Sequence, residues 1–444
     1  MTGYSGKRIL LIVTGGIAAY KSAILVRLLH KAGADVRVVM TEAAQRFITA
    51  VTLQALSGNP VHVDMWDARV PDNMGHIELS RDRDLIVVAP ASADFLAKIA
   101  HGLADDLAST MCLARECPLY VVPAMNRQMW ENAAMQRNAA TLRADGIVVL
   151  GPDAGDQACG ETGPGRMLEP EEIVEDIERS FHPKLLRDKR VIITAGPTFE
   201  AIDTVRGITN LSSGKMGYAV AQAAVEAGAR VTIVSGHSSV PLPRGVQRVE
   251  VVSAREMFDA VMSRVPDCDV FVAVAAVADY HVVNKVSHKL KKTDAHPTIE
   301  LALNPDILGT VAALPRPPFC VGFAAESEHL VTYAQEKRQK KNIPLLAANL
   351  AQEAFGRDDN ALTLFDDAGQ HVLPRAPKIE LARQLIRHMA RMIPASRTST
   401  TSSPPNRFAM ARRTPDVGFL AQHIVPDVLG PGMGVFAFDC TRSG

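Results

Sequence analysis

Apolar residues along this chain fall into short unbroken runs, each stopped by a turn and followed by a stretch of helical spacing. Arg8–Val13 is continuously apolar after its first residue, which predicts a buried strand. Gly15-Gly16 is the turn. Ile17, Tyr20, Ile24 and Leu28 then recur at helical spacing and predict a helix over Ile17–Lys31 that ends at Gly33. Val36–Met40 reads as a second strand. Strand, glycine turn, helix, strand is a βαβ unit, and its repetition implies a parallel sheet covered by helices. Further apolar runs at Leu85–Ala89, Leu119–Val122 and Val270–Val274 predict more strands of the same kind.

The pattern restarts near residue 189. Lys7-Arg8 has a counterpart in Lys189-Arg190, Thr14-Gly15-Gly16 in Thr194-Ala195-Gly196, and Ala32-Gly33-Ala34 in Ala227-Gly228-Ala229. The chain therefore reads as two Rossmann-like or flavodoxin-like α/β domains, alike by descent or by the punctuation such folds share. The boundary falls within Glu169–Lys189, where Pro170-Glu171-Glu172-Ile173 starts a helix and His182-Pro183 ends it. This gives domains over residues 1–188 and 189–394. Ser396–Pro405 is almost entirely Ser, Thr and Pro, a composition that cannot form a packed core. Residues 395–444 are expected to be a poorly ordered tail, with one short helical stretch around Val417–His423.

Composition narrows the class. A length of 444 residues allows two to four domains at roughly 100–200 residues each. Lys and Arg total 48, as do Asp and Glu, so there is no basic surplus to suggest nucleic acid or a membrane surface as partner. Aromatic residues are only 5%, which suits helices packed closely on a parallel sheet. Cys112, Cys117, Cys159, Cys268, Cys320 and Cys440 form no C-x-x-C pair, which argues against a zinc ribbon or disulfide framework and for a reducing, cytoplasmic setting. Residues 9–13 are broken too soon to be a signal peptide. The longest apolar run, Val270–Ala278, is far short of the ~20 residues a membrane span needs.

Chemistry gathers in the loops after strands. Thr14-Gly15-Gly16-Ile17-Ala18-Ala19-Tyr20-Lys21 lets backbone approach a ligand and offers helix N-terminal amides to a phosphate, but it is not the dinucleotide pattern G-x-G-x-x-G. Gly75-His76-Ile77-Glu78-Leu79-Ser80 precedes the run at Leu85, and Pro90-Ala91-Ser92-Ala93-Asp94 follows it. Pro123-Ala124-Met125-Asn126-Arg127-Gln128-Met129-Trp130 follows the next strand. Ala158-Cys159-Gly160-Glu161-Thr162-Gly163-Pro164-Gly165-Arg166-Met167 is a glycine-rich loop with a cysteine. Singly, each has a plain structural explanation; together they converge on one sheet edge.

This ordered set, over about residues 7–180, resembles the flavin-dependent cysteine decarboxylases, in particular the phosphopantothenoylcysteine decarboxylase half of the bifunctional coenzyme A biosynthesis enzymes. The resemblance implies FMN as cofactor. The flavin would oxidise the CH₂–SH carbon to a thioaldehyde, making the carboxylate β to C=S so that CO₂ can leave; the electrons then return with a proton. His76 would bind substrate and handle the thiol proton, Asn126 would hold the carboxylate, and Cys159 would be the final proton donor on a flap. A thiol with an ordinary pKa near 8.5 is mostly protonated at neutral pH and can serve as an acid. The FMN phosphate would sit near Gly15, Gly16, Ile17 and Ala18, with Thr41 and Ser92 as further contacts.

In the second half, Gly214-Lys215 invites a P-loop reading that fails. Six residues separate Gly207 from Gly214 instead of four, and Met216 stands where Mg²⁺ would need Ser or Thr. The set Ile193–Glu200, Ile202–Arg206, Ile208–Gly217, Ala275–Tyr280, Lys289–Lys292, Asn304–Leu308 and Val321–Glu326 resembles the phosphopantothenate–cysteine ligase half of the same bifunctional enzymes, over about residues 189–393. The resemblance implies CTP, with Mg²⁺: 4′-phosphopantothenate would attack the α-phosphate, and cysteine would then displace CMP from the acyl-cytidylate. Asn210 would contact that intermediate. Ala273, Val274, Ala275, Asp279 and Phe323 would hold the nucleotide with the turn Pro305, Asp306, Ile307, Leu308. Lys289, Lys337 and Lys341 would meet phosphates, Lys289 acting in the activation step. No metal ligands are assigned. Thr204 departs from the family's usual Pro, which touches loop stiffness, and Leu290 is a conservative departure. The resemblance also implies homo-oligomers. A flavodoxin-like electron carrier would explain an FMN loop but not Cys159 or Asn126, and a non-catalytic flavin- or nucleotide-binding module would have no use for Cys159, Asn210 and Lys289.

Overall fold

A computed structural model describes residues 3–65, 79–157, 160–291, 298–350 and 356–393. His76, Cys159, Cys440 and the tail from 395 lie outside the described residues.

The first half builds a sheet from β1 (Arg8–Val13), β2 (Asp35–Met40), β3 (Val61–His62), β4 (Leu85–Ala91), β5 (Leu119–Pro123) and β6 (Val148–Val149). Its order is β3-β2-β1-β4-β5-β6, and every pairing is parallel. An antiparallel hairpin, β7 (Asp153–Asp156) and β8 (Thr162–Arg166), follows. The glycine-rich stretch of the sequence thus supplies β8, the second strand of this hairpin.

The second half contains β9 (Arg190–Ala195), the hairpin β10 (Phe199–Ala201) and β11 (Gly207–Thr209), β12 (Arg230–Ser235), β13 (Val246–Glu250), β14 (Val270–Ala273), the hairpin β15 (Tyr280–Val282) and β16 (Leu301–Leu303), β17 (Phe319–Glu326), β18 (Leu345–Leu350), β19 (Asp359–Asp366) and β20 (Gly369–Pro377). The sheet order β13-β12-β9-β14-β17-β18-β19-β20 repeats the first half's order over six parallel strands and then adds an antiparallel pair. Both sheets reverse direction of winding between their first and fourth parallel strands, where open α/β sheets bind ligands.

The sequence echoes between the halves have a structural basis. Asp84 accepts the Arg8 amide at 2.8 Å, and Asp269 accepts the Arg190 amide at 2.7 Å. Gly33 (φ +98°) and Gly228 (φ +89°) both end a helix in the left-handed region, where a Cβ would be strained. In each case the next amide closes the helix, Ala34 onto Leu29 and Ala229 onto Ala224.

One expectation reverses. The helix runs Ala19–Lys31, and it buries Ala19, Lys21, Ser22, Leu25, Val26 and Leu29. Ile17, Tyr20 and Ile24, whose spacing announced the helix, are 65, 57 and 43% exposed. Small and branched side chains fit between this helix, the sheet and the helix Pro170–Phe181, so the larger residues are left outside. The halves meet through charge. Arg383 of the helix Lys378–Met392 donates to Glu226 at 2.7 and 3.0 Å and to Glu178 of the first half at 3.2 Å. No helix among the described residues is long and apolar enough to cross a membrane.

Candidate functional site

Hydrogen bonding at the buried end of β1 assembles the first site. Thr14 Oγ1 donates to Pro90 O at 2.7 Å and accepts the Ser92 amide at 2.9 Å, drawing the ends of β1 and β4 together. The Gly15 turn and Ser92 consequently line one cavity of about 410 Å³, with Gly16, Ile17, Ala18, Tyr20, Lys21 and Asn126. A Cβ on Gly15 would stand 2.6 Å from Ala43 Cβ, so only glycine lets the loop after β2 close against it. Around Gly16 there is open space. The amides of Gly15 to Ala18 have no acceptor among the described residues, and they lie at the start of the helix Ala19–Lys31. Free amides, a helix N-terminus and room beside Gly16 fit an anionic phosphate.

Thr41 does not line the cavity. Its Oγ1 accepts the Ala44 amide at 3.3 Å, and its own amide bonds Val13 O at 3.0 Å, so it shapes the segment packed on Gly15. Ser92 and Asn126 both cap helices. Ser92 Oγ accepts the Phe95 amide at 3.2 Å, and Asn126 Oδ1 accepts the Met129 amide at 2.9 Å. Capping fixes the Asn126 rotamer and leaves Nδ2 without a protein partner among the described residues.

The β7–β8 hairpin forms the roof. Met125 donates its amide to Gly165 O at 2.9 Å, and the Arg127 amide donates to Gln157 Oε1 at 3.0 Å. At its base, buried Lys21 donates to Met167 O and to Glu169, both at 2.9 Å. The Lys21 and Arg166 cations hold the Glu169 carboxyl below the usual range, Lys21 the more strongly, against a smaller opposing effect of burial. Lys21 and Gln157 had not been identified as site residues from sequence. Lys21 closes the TGGIAAYK motif, yet only the direction of the helix face shows that it points inward.

The second site is an open ledge at the C-terminal edge of β9, β14 and β17. Thr194 Oγ1 accepts the amides of Val274 and Ala275 at 3.2 and 3.3 Å, as Thr14 does for Ser92 in the first half. Asn210 Nδ2 donates to Ala276 O at 3.0 Å, which joins Asn210 to the Ala273–Ala275 segment. Asn304 donates to Ala278 O at 2.9 Å and its amide to Asp279 O at 2.8 Å, which brings the Pro305 turn to the same place. Ala273, Val274, Ala275 and Phe323 are half-buried, while Asp279 and Lys289 are exposed.

Three side chains are less free than their sequence roles suggest. Ile307 and Leu308 are buried in the core, so only their backbone faces a ligand. Asp306 caps the helix Ile307–Ala312 through Gly309 and pairs with Lys341. Burial pushes the Asp306 carboxyl up, but Lys341 and the Gly309 amide outweigh it and hold the carboxyl below its usual range. Lys337 makes no ion pair among the described residues. Lys215 pairs with Asp358 at 2.6 Å, in keeping with the failed P-loop reading.

Asp203 is a site residue that sequence reasoning missed. Its carboxylate is fully buried and accepts the amides of Val205, Arg206 and Leu290 and the Arg206 guanidinium, at 2.6 to 3.1 Å. Burial disfavours its charge, but these donors prevail and hold it well below the usual carboxylate range. Through Leu290 it pins the loop that presents Lys289. Of the cysteines, Cys112 and Cys320 are buried, which pushes each thiol up to about 12 and makes it inert.

Residues 2–182 match the family model described as Flavoprotein, and residues 186–392 match DNA/pantothenate metabolism flavoprotein C-terminal domain. The chain is 50% identical over 395 residues to the coenzyme A biosynthesis bifunctional protein CoaBC of Vibrio vulnificus (strain YJ016), spanning 88% of this chain and 98% of that one. It is 49% identical over 390 residues to its Escherichia coli (strain K12) relative of the same description, spanning 86% and 96%. The crystal structure of the C-terminal domain of a CoaBC protein aligns at 38% identity and TM-score 0.41, covering 47% of this chain and 97% of that one.

Proposed function

This chain belongs to the family of coenzyme A biosynthesis bifunctional proteins CoaBC, and from that premise we propose how its two halves divide the work. It is a bifunctional enzyme of coenzyme A biosynthesis, a decarboxylase and a ligase in one chain. The reading gives residues 189–394 the coupling of 4′-phosphopantothenate to cysteine with CTP and Mg²⁺. Residues 1–188 then decarboxylate the product to 4′-phosphopantetheine with FMN. The observation that carries it is the cavity in which a free-amide cradle, Asn126 and the Gln157 hairpin meet.

When bound, FMN supplies a reversible two-electron acceptor, so the decarboxylation is redox-neutral overall. The amides of Gly15 to Ala18 hold its phosphate, and Ser92 borders it. Asn126, held by its capping bond, offers Nδ2 to the substrate carboxylate until CO₂ leaves. His76 accepts the thiol proton. Cys159 follows Gln157 by two residues and gives the last proton to carbon. The hairpin excludes water from the cavity while these steps proceed.

In the ligase half, a carboxylate oxygen of 4′-phosphopantothenate bonds to the α-phosphorus of CTP and pyrophosphate leaves. Lys289, Lys337 and Lys341 neutralise the phosphates, Lys341 exchanging Asp306 for the ligand. The cysteine amine then bonds to the activated carbonyl, CMP leaves, and Asn210 steadies the acyl-cytidylate beside Ala276. Ala273, Val274, Ala275, Asp279, Phe323 and the Pro305–Leu308 turn hold the nucleotide.

Self-association belongs to the same reading. Ile17, Tyr20 and Ile24 form an exposed apolar stripe that starts at the cavity, which Ile17 and Tyr20 line, the kind of patch a second copy would cover. The unpaired thiols of Cys112, Cys117, Cys268 and Cys320 support a cytoplasmic location. The purified protein is expected to be yellow, and to release pyrophosphate over many turnovers only with CTP, 4′-phosphopantothenate and cysteine together, no more than one equivalent appearing when cysteine is left out. A colourless, inert protein would overturn the reading.

A further inference from the structure

On the second sheet, away from the ledge, a carboxylate and two imidazoles converge from three elements. Asp366 ends β19, His371 lies on β20, and His388 lies on the helix Lys378–Met392. Leu346 pairs with Phe365, so Asp366 sits beside the start of β18, at the edge opposite the one where Lys289 and Asn210 gather. His388 Nε2 is 2.7 Å from Asp366 Oδ2, and His371 Nε2 is 3.1 Å from Oδ1. The ligand atoms of all three lie within 4.8 Å of one another, and the two rings stand 4.6 Å apart, centre to centre.

Both imidazoles lie at hydrogen-bond distance from the one carboxylate, which is crowded at Oδ1. Asp366 Oδ1 already accepts the amides of Ala368 and Gly369 at 2.8 and 3.1 Å, which fills its two lone pairs. The His371 ring nitrogen is therefore a third group at one oxygen, at 3.1 Å, with its tautomer left open by the contact. Facing inward as a lone pair instead, it becomes a ligand. Oδ2 is free of backbone amides and has His388 beside it. Two imidazoles and one carboxylate oxygen match the donor preference of zinc and its borderline neighbours, and not that of magnesium or calcium. At bond lengths of about 2.0–2.2 Å the three atoms need only a small outward turn of the rings to surround an ion. His371 is partly exposed, which leaves a fourth position to water.

We propose that Asp366, His371 and His388 bind one divalent transition-metal ion of the zinc type, separate from the Mg²⁺ that accompanies CTP. The ion fastens the β19–β20 hairpin to the helix Lys378–Met392. That helix also carries Arg383, the link to the first half, so the site is structural and serves the junction between halves.

The test uses the full chain, stripped with a chelator and titrated with CoCl₂ and then ZnCl₂ in the presence of excess Mg²⁺. The wild-type chain is expected to bind one more Co²⁺ than the double variant His371→Ala, His388→Ala, with a visible ligand-field band that Zn²⁺ abolishes. Asp366→Asn keeps an oxygen for the turn amides and is expected to weaken Co²⁺ by at least about tenfold, the scale on which metal sites respond to altered ligand shells. CTP-dependent ligation stays unchanged in each variant and reports an intact fold. Equal stoichiometry and affinity in wild type and double variant would overturn the proposal, as would full affinity in Asp366→Asn.

Discussion

Gly165 sits where the hairpin roof meets the floor of the first site, and Gly165→Ala tests whether that closure serves decarboxylation. Its φ is +131°, a region that disfavours any side chain, and a Cβ would stand 2.5 Å from Met125 O and 3.0 Å from Gln157 Nε2. Holding alanine there costs about 1–3 kcal/mol in backbone strain alone. Relief of the clash requires β8 to retreat by about 0.9 Å to reach the 3.4 Å of ordinary contact. Such a shift stretches the bonds from the Met125 amide to Gly165 O and from Gln157 Nε2 to Pro164 O, now 2.9 and 3.2 Å. Each is worth about 0.5–1.5 kcal/mol. The closed roof is thereby disfavoured by about 2–6 kcal/mol, and each 1.4 kcal/mol is a factor of ten, so decarboxylation should fall by about 30- to 20,000-fold. The assay is CO₂ release from phosphopantothenoylcysteine, measured beside CTP-dependent pyrophosphate release from the same preparation. Ligation should stay within about twofold, since Gly165 touches only the first half. Decarboxylation within about threefold of wild type would refute the reasoning, and parallel loss of both activities would indicate misfolding instead.

Cys159→Ser is expected to retain oxidative loss of CO₂ but to yield no saturated product, as product analysis by mass would reveal; unchanged full turnover would remove Cys159 from the acid role. Lys289→Gln should abolish pyrophosphate release while sparing decarboxylation of supplied phosphopantothenoylcysteine. Arg383→Met leaves buried Glu226 and half-buried Glu178 without their cation, a loss of about 3–5 kcal/mol where burial is complete and less here because Glu178 is partly exposed; the thermal midpoint should drop by several degrees, and an unchanged midpoint counts against the link. Glu178 is held down to about 2 chiefly by His182, then by the Gly3 amide and Arg383, with burial opposing. His182 Nε2 stands 3.9 Å from the Glu178 carboxylate, beyond hydrogen-bond reach. A depressed carboxylate stabilises above its unfolded pKa near 4.5 and loses that contribution as pH falls toward 2. Acid titration of Glu178→Gln should therefore be flatter than wild type in that window.

The strands were legible because a sheet covered on both faces demands continuous apolar runs, and Arg8–Val13 coincides with its strand residue for residue. The helix after it was legible in extent but not in facing. Ile17, Tyr20 and Ile24 have helical spacing, but so do Leu25 and Leu29, and periodicity alone does not say which face meets the sheet. Lys21 was missed for this reason: an inward lysine is recognised only once Met167 O and Glu169 are seen beside it. Asp203 was missed because its donors, Val205, Arg206 and Leu290, are split between a local turn and a loop more than eighty residues away.

Local periodicity and turn chemistry act over a few residues, so the α/β class, the repeated strand–turn–helix unit and the ordered motifs of each half are legible in the chain alone. Contacts between distant segments set which motifs lie side by side, which lysines are ion-paired, and which carboxylates hold loops in place. Lys341 and Lys337 look alike in sequence, yet one is paired with Asp306 and the other is not. Burial and pairing depend on residues brought together from distant parts of the chain, and those neighbours set the charge that each group presents.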